Sequence, residues 1–287
     1  RLFTTRKLEV NMRVRLNGQS REAEDYAEML LRWGNGEGSV GFDVDGHRVV
    51  EIPEGMNVER ESDLIEWVFP GIRHTGAVDG TILCTRNNIV DAINAQVTDI
   101  FPGVEMVANS ADELALDDQA AIPVEYLNSQ APSGMPPHVL RLKEGMPVML
   151  LRNLDPHAKL CNGTRMTVKK VIVNVLLASY EGGEVLIPRI PLQPKENDYP
   201  FRWTRRQFPV RPAFAMTVNK SQGQTIRGRV GVFLPEPVFS HGQLYVATSR
   251  VVHPDNIRFC VLHNPPEMYG FVAATKIDEN FMSQVLE

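Results

Sequence analysis

The decapeptide MTVNKSQGQT, Met216 to Thr225, sets Asn219, Lys220, Ser221, Gln222, Gly223, Gln224 and Thr225 in unbroken succession between two apolar stretches. Amide and hydroxyl donors around one cation and one glycine suit phosphate oxygens, because side chains and main-chain N–H groups donate while the lysine supplies charge. A nucleoside-triphosphate cradle needs G-x-x-x-x-G-K-[ST]. Here Asn219 precedes the lysine, Phe214 stands where the first glycine belongs, and the chain has no Gly-Lys pair at all. The phosphates this segment suits are therefore those of a nucleic-acid backbone. A polar turn between a strand and a helix is the plain alternative.

The distribution of charge favours the first reading. The net charge is −5, which on average opposes a polyanion, yet the acids concentrate between Glu22 and Glu66. From Tyr199 to Pro235 there is no acid, and the same window carries Arg202, Arg205, Arg206, Arg211, Lys220, Arg227 and Arg229 with Phe201, Trp203 and Phe208 among them. Cations interleaved with aromatics suit a single strand, whose backbone is anionic and whose bases stack on rings.

These residues need a scaffold, and the periodicity supplies one. GTILCTRNN reads as a short buried strand, then a polar turn in which Asn87 or Asn88 caps a helix carrying Ile89, Ile93, Val97 and Ile100. AFAMTVNKSQGQT repeats the strand–turn–helix pattern. RVGVFLP and IRFCVLH read as further strands, HGQLYVATSR as a helix turning Leu244, Ala247 and Val251 inward, and Met268 to Leu286 as a closing helix. Upstream, RKLEVNMRV alternates as a strand, and Ser20 precedes a helix with Ala23, Ala27, Leu30 and Leu31 at helical spacing. WGNGEGSVGFDVDG is a glycine-rich loop or hairpin, and Asp63–Phe69 a short helix stopped by Pro70. This is an open α/β sheet domain.

The middle differs. HVLRL, PVMLL, TRMTVKKVIVNVLLASY and EVLIPRI are short strands parted by turns at Glu144-Gly145 and Gly182-Gly183. Helical periodicity is absent. A small antiparallel β-barrel over 139–210, inserted in an α/β domain of 1–138 and 211–287, accounts for the pattern. Cys84, Cys161 and Cys260 lie too far apart for a disulfide frame or a zinc spacing, which fits reduced thiols inside a cell. No run approaches the roughly 18 apolar residues of a membrane span, and RLFTTRKLEV has no signal-peptide core.

Three segments, TTRKLEVNMRV, LKEGMPVMLLRNLD…LCNGTR and FPVRPAFAMTVNKSQGQT…VGVFLPEPVFSHGQLYVATSRV, stand in the order found in one family. The chain resembles the C-terminal half of Pif-type DNA helicases of superfamily one, most closely the branch that includes the helicase of Helitron transposons. The resemblance runs to about Leu262. It implies a RecA-like second motor domain of the P-loop-NTPase type, lacking the P-loop, with an inserted SH3-like barrel. ATP with Mg2+ would be held mainly by an N-terminal RecA-like domain of the same protein, with single-stranded DNA as the other partner and no membrane.

By the same resemblance Arg250 matches an arginine finger for the γ-phosphate, and Arg13 of NMR a second arginine reaching the nucleotide. Gln224 and Thr225 fall where the motif approaches the nucleotide. Thr85, Asn87, Asn219, Lys220, Ser221, Gln222 and Gly223 fall along the DNA path. Trp203 and Arg205 could contact DNA from the barrel exit, with packing on the barrel as the alternative for the tryptophan. The implied activity is 5′–3′ translocation on DNA inside the cell, in the nucleus or else the mitochondrion. A non-catalytic DNA-binding or protein-interaction module is the rival. Three positions depart from the family pattern: the four residues Ile226–Arg229, where three including an Asp are usual, Thr248 in place of Leu, and Lys159 in place of Gly.

Overall fold

Ser20 opens the first helix, its Oγ accepting from the Ala23 amide at 3.1 Å. Such an N-cap satisfies a donor that the helix itself cannot. In the computed structural model the described residues are 20–35, 37–42, 48–115, 122–195, 198–224, 226, 228–239, 242–262 and 271–274. They fall into two units. One collects the described residues up to Pro70, 79–90 and those from Met216 on; the other takes Gly71–Val78 and Asp91–Ala215. The second is wider than the expected insertion of 139–210, because residues 91–138 pack with it.

In the first unit α1 (Arg21–Gly34) buries Ala23, Tyr26, Leu30 and Trp33. Leu31, expected on that face, is exposed; Tyr26 and Trp33 supply the inward stripe instead. The glycine-rich stretch is a hairpin of β1 (Ser39–Phe42) and β2 (Arg48–Glu51), and α2 (Glu61–Val68) is the short helix before Pro70. The central sheet holds β3 (Gly80–Cys84), β14 (Ala215–Thr217), β15 (Arg229–Leu234) and β16 (Ile257–Val261) in the order β14-β3-β15-β16. β15 runs parallel to both β3 and β16. Their nearly unbroken burial explains why these strands read as apolar runs rather than alternating ones. α6 (Gln243–Thr248) turns Leu244 and Ala247 inward as expected, and Val251 is buried beyond it.

Two expectations fail here. After β14 the chain makes a single 3-10 turn, Val218–Ser221, not a helix. Gln222 leaves it extended and Gly223 follows at φ 78°, so the helical path cannot continue. Phe271–Ala274 is not part of a closing helix but a strand, β17, antiparallel to β2. A short hairpin leaves an edge of unpaired backbone groups, and β17 fills it. The expected strand over RKLEVNMRV lies outside the described residues.

In the second unit α3 (Ile72–Thr75) precedes the continuation of α4 (Asn87–Ile100). Lys143 Nζ donates to the carbonyls of Thr98 and Phe101 at 2.7 and 2.6 Å, a cation where the helix end is negative. β7 (Pro147–Leu150), β8 (Arg165–Ile172), β9 (Val175–Tyr180), β10 (Gly183–Pro188) and β13 (Val210–Pro212) form a five-stranded antiparallel sheet in the order β10-β9-β8-β7-β13. Smaller sheets pair β4 (Met106–Asn109) with β6 (Val139–Leu142), and β12 (Trp203–Gln207) with both β5 (Ala111–Leu114) and β11 (Ile190–Leu192). Leu127 of α5 (Val124–Ser129), Met135, Leu192 and Trp203 share an apolar core.

Candidate nucleic-acid interface

The parallel sheet fixes where the polar segments emerge. Phe233 of β15 is opposite Cys84 of β3, so both strands deliver their following residues to the same edge. In open α/β sheets that carboxyl edge is where ligands bind. β3 is followed by Thr85, Arg86 and Asn87. β14 lies beside β3, and the 3-10 turn that follows it packs against β3 and α6.

Of the residues expected along a DNA path, Asn87, Asn219, Gln222 and Gly223 are exposed and Lys220 is half-buried. Two are not placed for direct contact. Ser221 is fully buried and its Oγ donates to the Val218 carbonyl at 2.7 Å, closing the 3-10 turn. Thr85 is 4% exposed, with its Oγ1 buried and without a hydrogen-bond partner. Gly223 has a backbone requirement of its own. It sits at φ 78°, a left-handed conformation that favours glycine, and a Cβ there would meet no protein atom within 4 Å.

Arg250 is the centre of the arrangement. It is 6% exposed, with its guanidinium held inside the protein. Its Nη1 donates to the carbonyls of Ser221 and Gln224, each at 3.0 Å. Nε donates to the Val246 carbonyl at 2.8 Å and Nη2 to Ser249 Oγ at 2.8 Å. The Ile226 amide donates back to the Arg250 carbonyl at 3.0 Å. One guanidinium thereby ties the end of α6 to both sides of Gly223. Gln224 is half-buried and its Nε2 donates to the Lys220 carbonyl at 3.3 Å. Arg13 and Thr225 lie outside the described residues.

Trp203 and Arg205 belong to the interior of the second unit, which corrects the expectation that they meet DNA. Arg205 is 0% exposed; its Nη2 is 2.7 Å from Asp112 Oδ2, and further N–H groups reach the carbonyls of Leu127, Gln130 and Pro136. Its guanidinium also lies over the Trp203 ring at 5.1 Å. A buried charge persists only when paired and hydrogen-bonded, as this one is. Packing, the alternative for Trp203, is what the structure has.

One constellation escaped the sequence reading. Arg86 Nε lies 2.8 Å from Glu236 Oε2, and its guanidinium is 5.6 Å from the centre of the exposed Phe239 ring. Arg86 and Phe239 sit inside the stretches CTRNN and VFLPEPVFSH. Only the adjacency of β3 and β15 brings them together.

Residues 125–171 match the family model described as DNA helicase Pif1, 2B domain. The ATP-dependent DNA helicase PIF1 of Xenopus laevis is 32% identical over 190 residues, covering 62% of this chain and 27% of that protein. The ATP-dependent DNA helicase PIF6 of Trypanosoma brucei brucei is 26% identical over 222 residues, 74% of this chain and 27% of that protein. The chain is Pif1-like. It spans about a quarter of the length of these curated relatives. The Pif1-like assignment extends to the fold. The Pif1 helicase of Candida albicans superposes with a TM-score of 0.59 at 22% identity, over 92% of this chain and 58% of that one. The Bacteroides Pif1 helicase in complex with ADP-AlF3 and ssDNA gives 0.58 at 20%, over 93% and 53%. The mixed α/β fold is therefore that of Pif1 helicase domains. No helix among the described residues is long and apolar enough to cross a membrane.

Proposed function

We propose that this chain is the DNA-gripping second motor domain of an ATP-dependent DNA helicase, with the five-stranded sheet of its second unit as an SH3-like insertion. Support comes from the guanidinium of Arg250, which binds the carbonyls of Ser221 and Gln224 inside the very segment whose exposed Asn219, Gln222 and Gly223 suit a strand backbone. A side chain that holds a DNA-gripping loop and also carries a permanent, planar charge can join nucleotide state to grip.

The phosphates of ATP would be cradled by another RecA-like domain. Bound with the nucleotide, Mg2+ would neutralise charge on the β- and γ-phosphate oxygens. Arg250 then has two sets of acceptors, the carbonyls it holds here and the γ-phosphoryl oxygens that gain charge in the transition state. Moving from the first set to the second would release Ser221 and Gln224 and alter the grip beside Lys220. Arg13 serves as a second arginine in this reading, and Gln224 and Thr225 as residues that approach the nucleotide. Travel is 5′ to 3′, in the nucleus or the mitochondrion. Membership of the Helitron-associated branch is part of the same proposal and rests on the run from Phe208 to Val251.

The internal bonding of Arg250 also favours a second reading, a DNA grip in which the arginine is structural and no engine is served. Steady-state phosphate release by the full gene product, with and without single-stranded DNA, separates the two. Arg250→Ala should lower DNA-stimulated turnover about a thousandfold or more if it is a finger. Turnover that persists in Arg250→Ala at saturating ATP and DNA overturns the proposal. Unwinding of duplexes tailed at the 5′ or the 3′ end tests polarity in the same preparation.

A further inference from the structure

Arg86, Glu236 and Phe239 form a cation, acid and ring at the carboxyl edge of the parallel sheet, where β3 and β15 deliver them side by side. Single exposed apolar side chains are ordinary. Phe239 is 55% exposed, but its position is held from beneath: its amide donates to Oε1 of Gln243 at 3.2 Å, and Gln243 is buried. One face has a guanidinium 5.6 Å from the ring centre. Arg86 and Glu236 are 55% and 49% exposed, so their ion pair is screened and weak. A guanidinium held by so weak a partner transfers readily to a phosphate, which accepts the same planar donors.

Resting on the reading that this edge grips single-stranded DNA, we propose that Phe239 is a stacking platform for one base and that Arg86 exchanges Glu236 for the adjoining phosphate. Asn87, exposed next to Arg86, lies on the same path. Ring and cation together select a nucleotide over a purely acidic ligand, since the acid alone gives the ring nothing to stack on. Glu236 opposes binding by competing for Arg86 and by repelling the backbone. Its removal should therefore tighten the complex, which no purely structural role for the ion pair would do.

The test is fluorescence anisotropy of a labelled oligothymidine with the full chain across a salt series. Phe239→Ala should weaken affinity about fivefold or more, the lower end of what a stacked base contributes, and Phe239→Tyr should restore it. On an oligonucleotide with abasic sites throughout, Phe239→Ala should bind as the unaltered protein does. Arg86→Ala should weaken binding and reduce the log–log salt slope by about 0.7, one phosphate contact on a single strand. Glu236→Gln should tighten binding, most at low salt. If Lys220→Ala weakens binding while Phe239→Ala and Glu236→Gln change nothing, the platform is wrong and the general grip stands. If Phe239→Ala weakens binding equally on the abasic strand, the ring does not stack a base. If the unaltered chain binds no oligothymidine, both readings fall. A glutamate peptide that displaces the strand only when Phe239 is present would reassign the ring to an acidic partner and overturn the proposal.

Discussion

Arg250 donates to the Ser221 carbonyl at 3.0 Å, joining two residues 29 positions apart through a side chain that is almost wholly buried. The same Nη1 reaches the Gln224 carbonyl at 3.0 Å, so the loop between them is braced at both ends. Arg250→Ala leaves acceptors without donors, and each buried unsatisfied group costs about 1–3 kcal/mol. We expect a loss of roughly 2–4 kcal/mol in urea unfolding together with weaker binding of single-stranded DNA. Arg250→Lys should fall between, since an ammonium cannot reproduce the fork. A stability change below about 0.5 kcal/mol, the range of ordinary surface substitutions, would show that the brace does not hold the loop.

Arg205 and Asp112 test the opposite kind of arginine. Both side chains are fully buried and paired at 2.7 Å. Removing one partner strands the other charge, so Arg205→Met and Asp112→Leu should each cost about 3–5 kcal/mol. The double variant should cost far less than the two together, because no lone charge remains. DNA affinity of the folded double variant should match that of the unaltered chain. A loss of affinity at unchanged stability would restore Arg205 to the DNA path.

How far the sequence carried is visible in these two arginines. Strand and helix placement around Cys84, Asn87 and Leu234 was legible because apolar runs are local, but the cap was not: the helix begins at Asn87, so Asn87 and Asn88 lie inside it and Arg86 precedes it. The edge shared by β3 and β15 was not, because it follows from their parallel pairing across the chain. Whether an arginine faces out was not, since that depends on acceptors far away in the chain: Asp112 lies 93 positions from Arg205. Phe271–Ala274 was misread for the same reason. Its pairing with β2 is a tertiary contact, and a short apolar run carries no sign of its partner. Arg86 with Phe239 needed the sheet order itself.

Thiol chemistry reports on the core directly. Cys84 and Cys260 are buried and Cys161 is half-buried. Burial pushes the Cys260 thiol up to about 12, helped by the nearby charges of Glu61 and Asp63, and pushes Cys84 higher still. Thiols raised this far stay protonated and unreactive at pH 8. A disulfide reagent should therefore label one thiol in the native protein and three in guanidinium chloride. Rapid labelling of Cys84 or Cys260 without denaturant would contradict the burial of β3 or β16.

Gly228 and Gly223 should respond very differently to alanine. At Gly228 a Cβ would lie 1.4 Å from the carbonyl oxygen of Asp79, backbone against backbone, with no side chain free to move aside. The Arg229 amide donates to that same carbonyl at 3.1 Å, which fixes the approach. Gly228→Ala should cost upward of about 4 kcal/mol and yield little folded protein. Gly223→Ala meets no atom and bears only the left-handed penalty of about 1–2 kcal/mol. Thermal unfolding ranks the two; equal midpoints would refute the close approach at Gly228.

Lys159 is the described non-glycine residue with positive φ, at 60°. The turn imposes that conformation. The Leu160 amide donates to the Asp155 carbonyl at 2.8 Å, the Lys159 amide to the Pro156 carbonyl at 3.2 Å, and Thr164 Oγ1 to the Lys159 carbonyl at 2.9 Å. All three bonds use the backbone of Lys159 and its neighbours, so they survive loss of its side chain. Elsewhere in a folded chain alanine is preferred to glycine by about 0.5–1 kcal/mol, because glycine loses more freedom on folding. In the left-handed region a Cβ costs about 1–2 kcal/mol, which outweighs that entropy. Lys159→Gly should therefore be more stable than Lys159→Ala by roughly 0.5–1 kcal/mol, an inversion of the usual order. Both variants should bind single-stranded DNA as the unaltered chain does. If urea unfolding finds the alanine variant equal to or above the glycine variant, the turn does not hold Lys159 in the left-handed conformation.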